Sequence, residues 1–539
     1  MTSPIDRSTR ARGLRFSHAV LAALCASLPM DASPQQVADA SIVSRVNQFD
    51  AYVKTALETW EVPGLSVSVV QDGDLLFARG YGVRALDSDE PVNAETLFAI
   101  GSTTKAMTAA ALGMLVDEGK LHWDDRVEEI LPDFQLYDPY VSRELTVRDL
   151  LTHRAGLGNA DYLWYEQDVS ADEVLARIRL AKPAYSFRSG FIYQNIMYAA
   201  AGAVVEAVSG QSWDRFVVSR IFGPLGMGGS IPNAAGLGRL GNVAKPRFRI
   251  DGVIERIQNA SVDNVAPAGA VWSSALDMSR WMRMLLRNGT NDSGQRILSE
   301  TATRELFVPQ ALVGASGFYP TAALTKPSWT TYGMGWFQQD YRGKKLDFHT
   351  GSIDGMVAII GLVRDEGFGV YVLANLDHAE LRHALMYRAI DHFVFADARR
   401  DWSAELASHY GELQQAADAS RKESRRSRVV GTNPTHSIDA YTGIYSDPLF
   451  GRIEVVSGDQ PGTLWLTYGP GLQGPLTHWH YDTFVARFDH HSIADAFVSF
   501  SLGLDGTIKE MLMKPYSPTA DSSYDYENLR FVPVSPSSL

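Results

Sequence analysis

Two strand–turn–strand patterns, far apart in the chain, bracket a long helical stretch and limit what the region between residues 65 and 376 can become. Residues 65–70 and 75–80 flank Gln71-Asp72-Gly73-Asp74, and residues 356–363 and 368–376 flank Arg364-Asp365-Glu366-Gly367. Each is an apolar run, an Asp/Gly turn and a second apolar run, which is how a β-hairpin reads. Between them the apolar spacing is helical: 104–118 closing at Gly119, 171–181 ahead of Pro183, 196–209 closing at Gly210, and 276–287 followed by Asn288-Gly289. Glycine just past the last turn is a common helix stop. Strands at both ends with helices inserted predict an α+β fold: one antiparallel sheet with flanking helices, plus a helical lobe. A cleft between sheet and lobe is the natural place for a site.

The pattern changes after residue 398. Residues 399–437 mix charged and small side chains, including Arg421-Lys422-Glu423-Ser424-Arg425-Arg426, and predict a helix followed by a linker. Turn-separated β runs follow at 453–456, 463–468, 484–488, 497–502, 508–513 and 529–532. They predict a separate antiparallel β-barrel or sandwich over 438–539. The larger unit before it is assigned to 40–398.

Composition narrows the function classes. Hydrophobic residues at 45% and charged residues at 21% belong to a folded chain, and a net charge of −13 offers no basic footprint for nucleic acid. Cys25 is the single cysteine, so neither an internal disulfide nor a cysteine zinc site can form. Arg7, Arg10, Arg12 and Arg15 precede an apolar run at 19–30 that is too short to span a bilayer. This predicts a signal peptide at 1–32 and an exported chain, periplasmic or secreted. No later run is long enough to cross a membrane, so the mature form is expected to have no integral membrane segment.

Candidate chemistry begins at Gly101-Ser102-Thr103-Thr104-Lys105, at the start of the 104–118 helix. Residues three apart share a helix face, so the Ser102 hydroxyl and the Lys105 amine can meet. An N-cap role explains Ser102 but not Lys105, because a cation in the first turn opposes the helix dipole. That dipole, together with burial, favours the neutral amine that a base for a serine hydroxyl requires. Tyr193-Gln194-Asn195 opens the 196–209 helix. A nearby ammonium would favour the Tyr193 phenolate and let it share a proton with Lys105, while Asn195 could hold the lysine or a substrate amide; an aromatic turn with a capping asparagine is equally consistent with the local sequence. His349-Thr350-Gly351-Ser352 precedes the last hairpin. A strand there could line the cleft and add the Ser352 N–H to that of Ser102 as an oxyanion hole, with Gly351 permitting close approach; an ordinary turn is the plainer reading.

In this order, S-x-x-K, Y-x-N and H-T-G, the three segments resemble the serine β-lactamase and penicillin-binding protein superfamily, especially its class C, D-aminopeptidase and esterase branch. Leu150-Leu151-Thr152-His153-Arg154-Ala155-Gly156-Leu157 and Tyr332-Gly333-Met334-Gly335-Trp336 are similar to two further signatures of that branch. The resemblance implies a serine hydrolase that acylates Ser102, with Lys105 and Tyr193 moving protons, and Asn195, His349, Thr350, Gly351 and Ser352 lining the substrate site. It implies no cofactor. The region after 430 more weakly resembles the lipocalin-like domain that in some such peptidases covers the cleft or supports homo-oligomers.

One departure bears on substrate. His349 stands where β-lactamases of the superfamily carry lysine, so a permanent cation for a substrate carboxylate is absent from that position. This leans toward a peptidase or amidase on short peptides, including D-residue-containing or toxin-derived ones such as linearised microcystin. A carboxylesterase, a β-lactamase and a non-catalytic sensor or scaffold are the other readings. His478-x-His480 and His490-His491 come without an adjoining carboxylate motif, so no metal is expected.

Overall fold

The computed structural model describes residues 34–85, 89–460, 462–490, 492–517 and 526–535. The expected signal peptide at 1–32, Cys25 included, lies outside them. Helix α1 is Pro34–Thr59, and the chain divides into two units, the second running from Val46 to Leu539. The sheet, the helical lobe and the barrel all belong to the second.

The predicted α+β architecture is present. Strands β1 (Gly64–Gln71), β2 (Asp74–Gly82), β3 (Ala311–Leu312), β4 (Thr330–Tyr332), β5 (Phe337–Tyr341), β6 (Lys344–Ile353), β7 (Met356–Val363) and β8 (Phe368–Ala374) form one sheet in the order β2-β1-β8-β7-β6-β5-β4-β3. The two hairpins meet where β1 pairs antiparallel with β8, from Leu65↔Ala374 to Gln71↔Phe368. Strands β7 and β8 are buried along their whole length. One face packs on α5 (Leu381–Phe393) and on Phe49, Val53 and Ala56 of α1. The other packs on the core that includes α2 (Lys105–Asp117), α3 (Asn195–Ser209) and α4 (Ala275–Leu286). Two covered faces explain why these strands read as continuous apolar runs although they are antiparallel.

Helix α6 (Trp402–Arg426) follows, and the chain then enters an eight-stranded closed barrel. Its strands are β9 (Gly443–Asp447), β10 (Gly451–Ser457), β11 (Leu464–Tyr468), β12 (Leu472–His480), β13 (Thr483–Ala486), β14 (Ala496–Leu502), β15 (Ile508–Pro515) and β16 (Arg530–Pro533). Pairing of Tyr445 with Pro533 and Ser446 with Val532 closes it. The six runs read from sequence lack β9 and β12. Strand β12 contains Gly474 and Pro475, which disguise it, yet Leu472, Gly474 and Leu476 alternate inward as a barrel strand requires. The barrel's apolar interior is continuous with the core of the helical lobe.

Candidate active site

Ser102 lies in a 3-10 turn (Gly101–Thr104) that runs directly into α2, not in the α-helix itself. The tighter turn keeps Ser102 and Lys105 on one face, because side chains three apart eclipse in that geometry. Lys105 is fully buried and points its amine at three oxygens: Ser102 Oγ at 3.0 Å, Asn195 Oδ1 at 2.7 Å and the Ala268 carbonyl at 2.9 Å. It also stands 4.7 Å from the ring centre of Tyr193 and 5.3 Å from that of Tyr198. Burial pulls its pKa from the usual 10.5 to about 7, against the opposing pull of Asp161. Near neutrality the amine is therefore divided between two forms. The ammonium can donate to all three oxygens. The neutral amine can donate to Asn195 and Ala268 and accept the Ser102 hydroxyl.

The Ser102 and Ser352 amides are brought together by two glycines. Gly101 has φ +53°, and a Cβ there would lie 2.6 Å from the Ser352 nitrogen; a Cβ on Gly351 would lie 1.9 Å from the Ile100 carbonyl oxygen and 3.1 Å from the Ser102 nitrogen. Only two residues without side chains allow the turn and β6 to approach this closely. Arg382 on α5 ties β6 down from behind, donating to the Gly351 carbonyl at 2.8 Å and to Ser352 Oγ at 2.9 Å. The sequence alone did not single out Arg382.

Tyr193 differs from the expected phenolate. Burial lifts its pKa well above 10, with the neighbouring Ser102 hydroxyl only partly opposing the rise. Its Oη is buried, with the Ser102 hydroxyl as its polar neighbour. It is a neutral phenol, because the lysine beside it is itself half-neutral and cannot stabilise an anion enough to offset desolvation. His349 also differs from a partly charged group. Burial drives its pKa to about 3, Nε2 meets Tyr332 Oη at 3.0 Å and Nδ1 meets the Thr350 carbonyl at 2.6 Å. In the neutral ring Nδ1–H donates to Thr350 and Nε2 accepts from Tyr332, so neither nitrogen is left for a substrate. Thr350 Oγ1 is likewise paired, with Tyr319 Oη at 2.7 Å.

Two buried groups near the amine carried no separate assignment in the sequence. His153 packs against Tyr193 with ring centres 4.4 Å apart and the rings tilted by 36°, and it accepts the Gln194 N–H at 3.0 Å; burial and Lys105 hold it neutral. Asp161 accepts from Asn195 Nδ2 at 3.0 Å and from Trp164 Nε1 at 2.8 Å. It opens a three-residue 3-10 turn (Asp161–Leu163), too short to show a period, so only three-dimensional proximity reveals it. Ser102, Tyr193, Asn195, His349, Thr350 and Ser352 all line one cavity of about 650 Å³, which Phe318, Tyr319 and Trp164 flank with aromatic surface.

The histidines of the barrel are placed differently from a histidine-only cluster. His478 Nε2 meets the Tyr481 carbonyl at 2.9 Å and His480 Nδ1 accepts the Val429 N–H at 3.4 Å. His490 lies 3.7 Å from Glu166 and 3.6 Å from Asp354, carboxylates from distant segments that sequence spacing does not connect to it. Such a trio of one imidazole and two carboxylates is a donor set that a divalent cation could use. Here it also ties the barrel to the cleft. His491 is outside the described residues.

Comparison with known proteins agrees with this geometry. The family described as Beta-lactamase matches residues 49–394, and a domain of unknown function, DUF3471, matches residues 427–533. An unguisins hydrolase of Aspergillus campestris is 28% identical over 444 residues, covering 77% of this chain and 79% of that protein. The octameric penicillin-binding protein homologue from Pyrococcus abyssi superposes with a TM-score of 0.57 at 22% identity, covering 90% of this chain and 99% of the other. A D-stereospecific amidohydrolase from Streptomyces sp. gives a TM-score of 0.50 at 21% identity, over 62% of this chain and 98% of that one. The chain belongs to the Beta-lactamase family and is a serine hydrolase of that family.

Proposed function

We propose that the protein is a peptidase or amidase that cleaves short peptides through an acyl-enzyme on Ser102. The observation that carries this reading is the buried Lys105 amine, poised near neutral pH and 3.0 Å from the Ser102 hydroxyl. As Ser102 Oγ attacks the carbonyl, its proton passes to the neutral amine, and the developing oxyanion is met by the Ser102 and Ser352 N–H groups. Collapse breaks the C–N bond. The leaving amine takes a proton from the Tyr193 phenol, which Lys105 restores. Water then enters by the reverse route, freeing the acid and Ser102.

Two features of the cleft support this substrate class. Neutral His349 and an Arg382 already bound to β6 leave this strand without the free cation that a β-lactam carboxylate would need, whereas aromatic walls suit peptide side chains. The names of an unguisins hydrolase and of an amidohydrolase among similar proteins support hydrolysis at this site. An exported location and a homo-oligomer complete the reading, the latter supported by the octameric neighbour. Turnover of matched short L- and D-peptides, p-nitrophenyl esters and β-lactams, followed by mass spectrometry, tests it. Peptide cleavage with the highest kcat/KM is expected, lost by a factor on the order of 10⁶ in Ser102→Ala. Cleavage of β-lactams alone would overturn the substrate assignment.

A further inference from the structure

The barrel grips the loop that carries Asp161 on both sides of that residue. Before it, Asn528 reaches the Asn159 carbonyl with Nδ2 at 3.5 Å. Just after it, Tyr468 Oη lies 2.9 Å from the Tyr162 carbonyl, and the Tyr162 ring stacks on Tyr526 with centres 5.0 Å apart. Further on, Gly469 and Gly471 make room for the loop: a Cβ at the first would lie 2.6 Å from Gln167 Oε1, and at the second 1.9 Å from Glu166 Oε2. These contacts come from β11, the β11–β12 turn and the segment before β16, so the barrel holds the loop from three places and not through a single contact.

Asp161 is buried, and what it holds is specific. An amide side chain can present its oxygen or its nitrogen to Lys105, and the choice decides whether Lys105 finds an acceptor there. Asp161 accepts the Asn195 Nδ2 hydrogen and so forces Oδ1 toward Lys105, while the Trp164 indole holds the other carboxylate oxygen. We infer that Asp161 is the positioning residue of the lysine base, orienting Asn195 and through it Lys105, and that the C-terminal barrel acts in catalysis by fixing the loop on which Asp161 stands. The barrel thus supplies geometry without supplying a group that touches the substrate.

The inference rests on Ser102 and Lys105 acting as proposed, and it adds a pH signature. The groups that face the Lys105 amine are Asp161 on the loop, His153 beside Tyr193, His349 on β6, and the phenols of Tyr193 and Tyr198. Burial holds both histidines neutral and lifts both phenols; it also raises the Asp161 carboxyl, against which the hydrogen bonds from Trp164 and Asn195 and the charge of Lys105 pull it back down, so among these groups Asp161 is the one that can set negative charge opposite the amine. An anion opposite an amine raises its pKa, so removing it must lower that pKa further.

Asp161→Asn is the direct test, read by fluorophosphonate labelling and by kcat/KM from pH 5 to 9, with thermal denaturation to establish folding. Mapping the wild-type adduct to Ser102 separately tests the reading beneath it. The expected result is a loss of about 10- to 100-fold at pH 8, as for a misplaced catalytic group, with the acid limb displaced to lower pH. A rate within about twofold of wild type, or a loss with the limb unmoved, would overturn the inference, since a merely structural role changes rate without changing the limb. If the asparagine variant does not fold, Asp161→Glu carries the test: slower labelling with the wild-type limb is expected, and a displaced limb contradicts. For the barrel, Tyr468→Phe is expected to slow labelling several-fold while leaving the limb in place. Unchanged labelling would remove the barrel from catalysis.

Discussion

The open sheet and the closed barrel are both antiparallel, yet they bury their side chains in opposite ways. In the sheet, β7 and β8 are buried at every residue because helices cover both faces. In the barrel, β11 and β12 alternate, with Leu464, Leu466 and Tyr468, then Leu472, Gly474 and Leu476, turned inward. A sheet covered on both faces needs partners, and the helices that cover it create the cleft in which Lys105 loses its water. A barrel covers itself, and it can be added beside a cleft without supplying catalytic groups. The difference separates the part that performs the chemistry from the part that holds a loop still.

That division can be broken experimentally. The largest effect is expected from Lys105→Ala, which removes the base while leaving Ser102: kcat/KM should fall on the order of 10²–10⁴-fold, measured at pH 8. A loss below tenfold would place the base elsewhere. Next comes pH. With the amine at about 7, kcat/KM should drop about tenfold for each unit below that value, as the ammonium form can no longer take the serine proton. The same shift has a sign for stability. Between about 7 and the ordinary 10.5 the unfolded chain keeps the proton that the folded chain has lost, so Lys105's contribution to stability rises with pH across that window. Denaturant melts of wild type and Lys105→Met should differ in slope there, the variant lacking this rise.

A smaller contrast separates the two cores. Leu112→Ala in α2 and Phe484→Ala in the barrel each empty a fully buried site and should cost about 2–5 kcal/mol of stability. The first acts on the helix that bears Lys105 and should lower kcat by more than the second, with kcat and unfolding midpoints measured together. Equal loss of kcat in both would mean that the barrel and the cleft respond as one body.

How much of this was legible follows the same division. The hairpins at 65–80 and 356–376 were readable because β1, β7 and β8 are covered on both faces and leave apolar runs, and Asp/Gly turns punctuate both hairpins. The short strands β3 and β4 at the sheet's far edge carry too few residues to show a period. In the barrel, β12 was hidden by Gly474 and Pro475, which local propensity counts as breakers and the barrel tolerates. At the site, Ser102, Lys105, Tyr193 and Asn195 could be picked out because their spacing sits at helix starts, and the structure gathers Ser102, Tyr193 and Asn195 around one cavity with the Lys105 amine bonded to Ser102 and Asn195. Their ionisation could not be read, since the neutral Tyr193 phenol and the uncharged His349 depend on burial. Asp161 and Arg382 were invisible for a related reason: each acts across the fold on a partner far away in sequence.

The most direct measurement is peptide mapping of the adduct formed by a fluorophosphonate probe, with its rate followed across pH 5 to 9. A single adduct on Ser102, forming faster as pH rises through about 7 and absent in Ser102→Ala, is the result expected from a hydroxyl activated by a neutral Lys105. An adduct on any other residue, or labelling of Ser102 that ignores pH in that range, would contradict it.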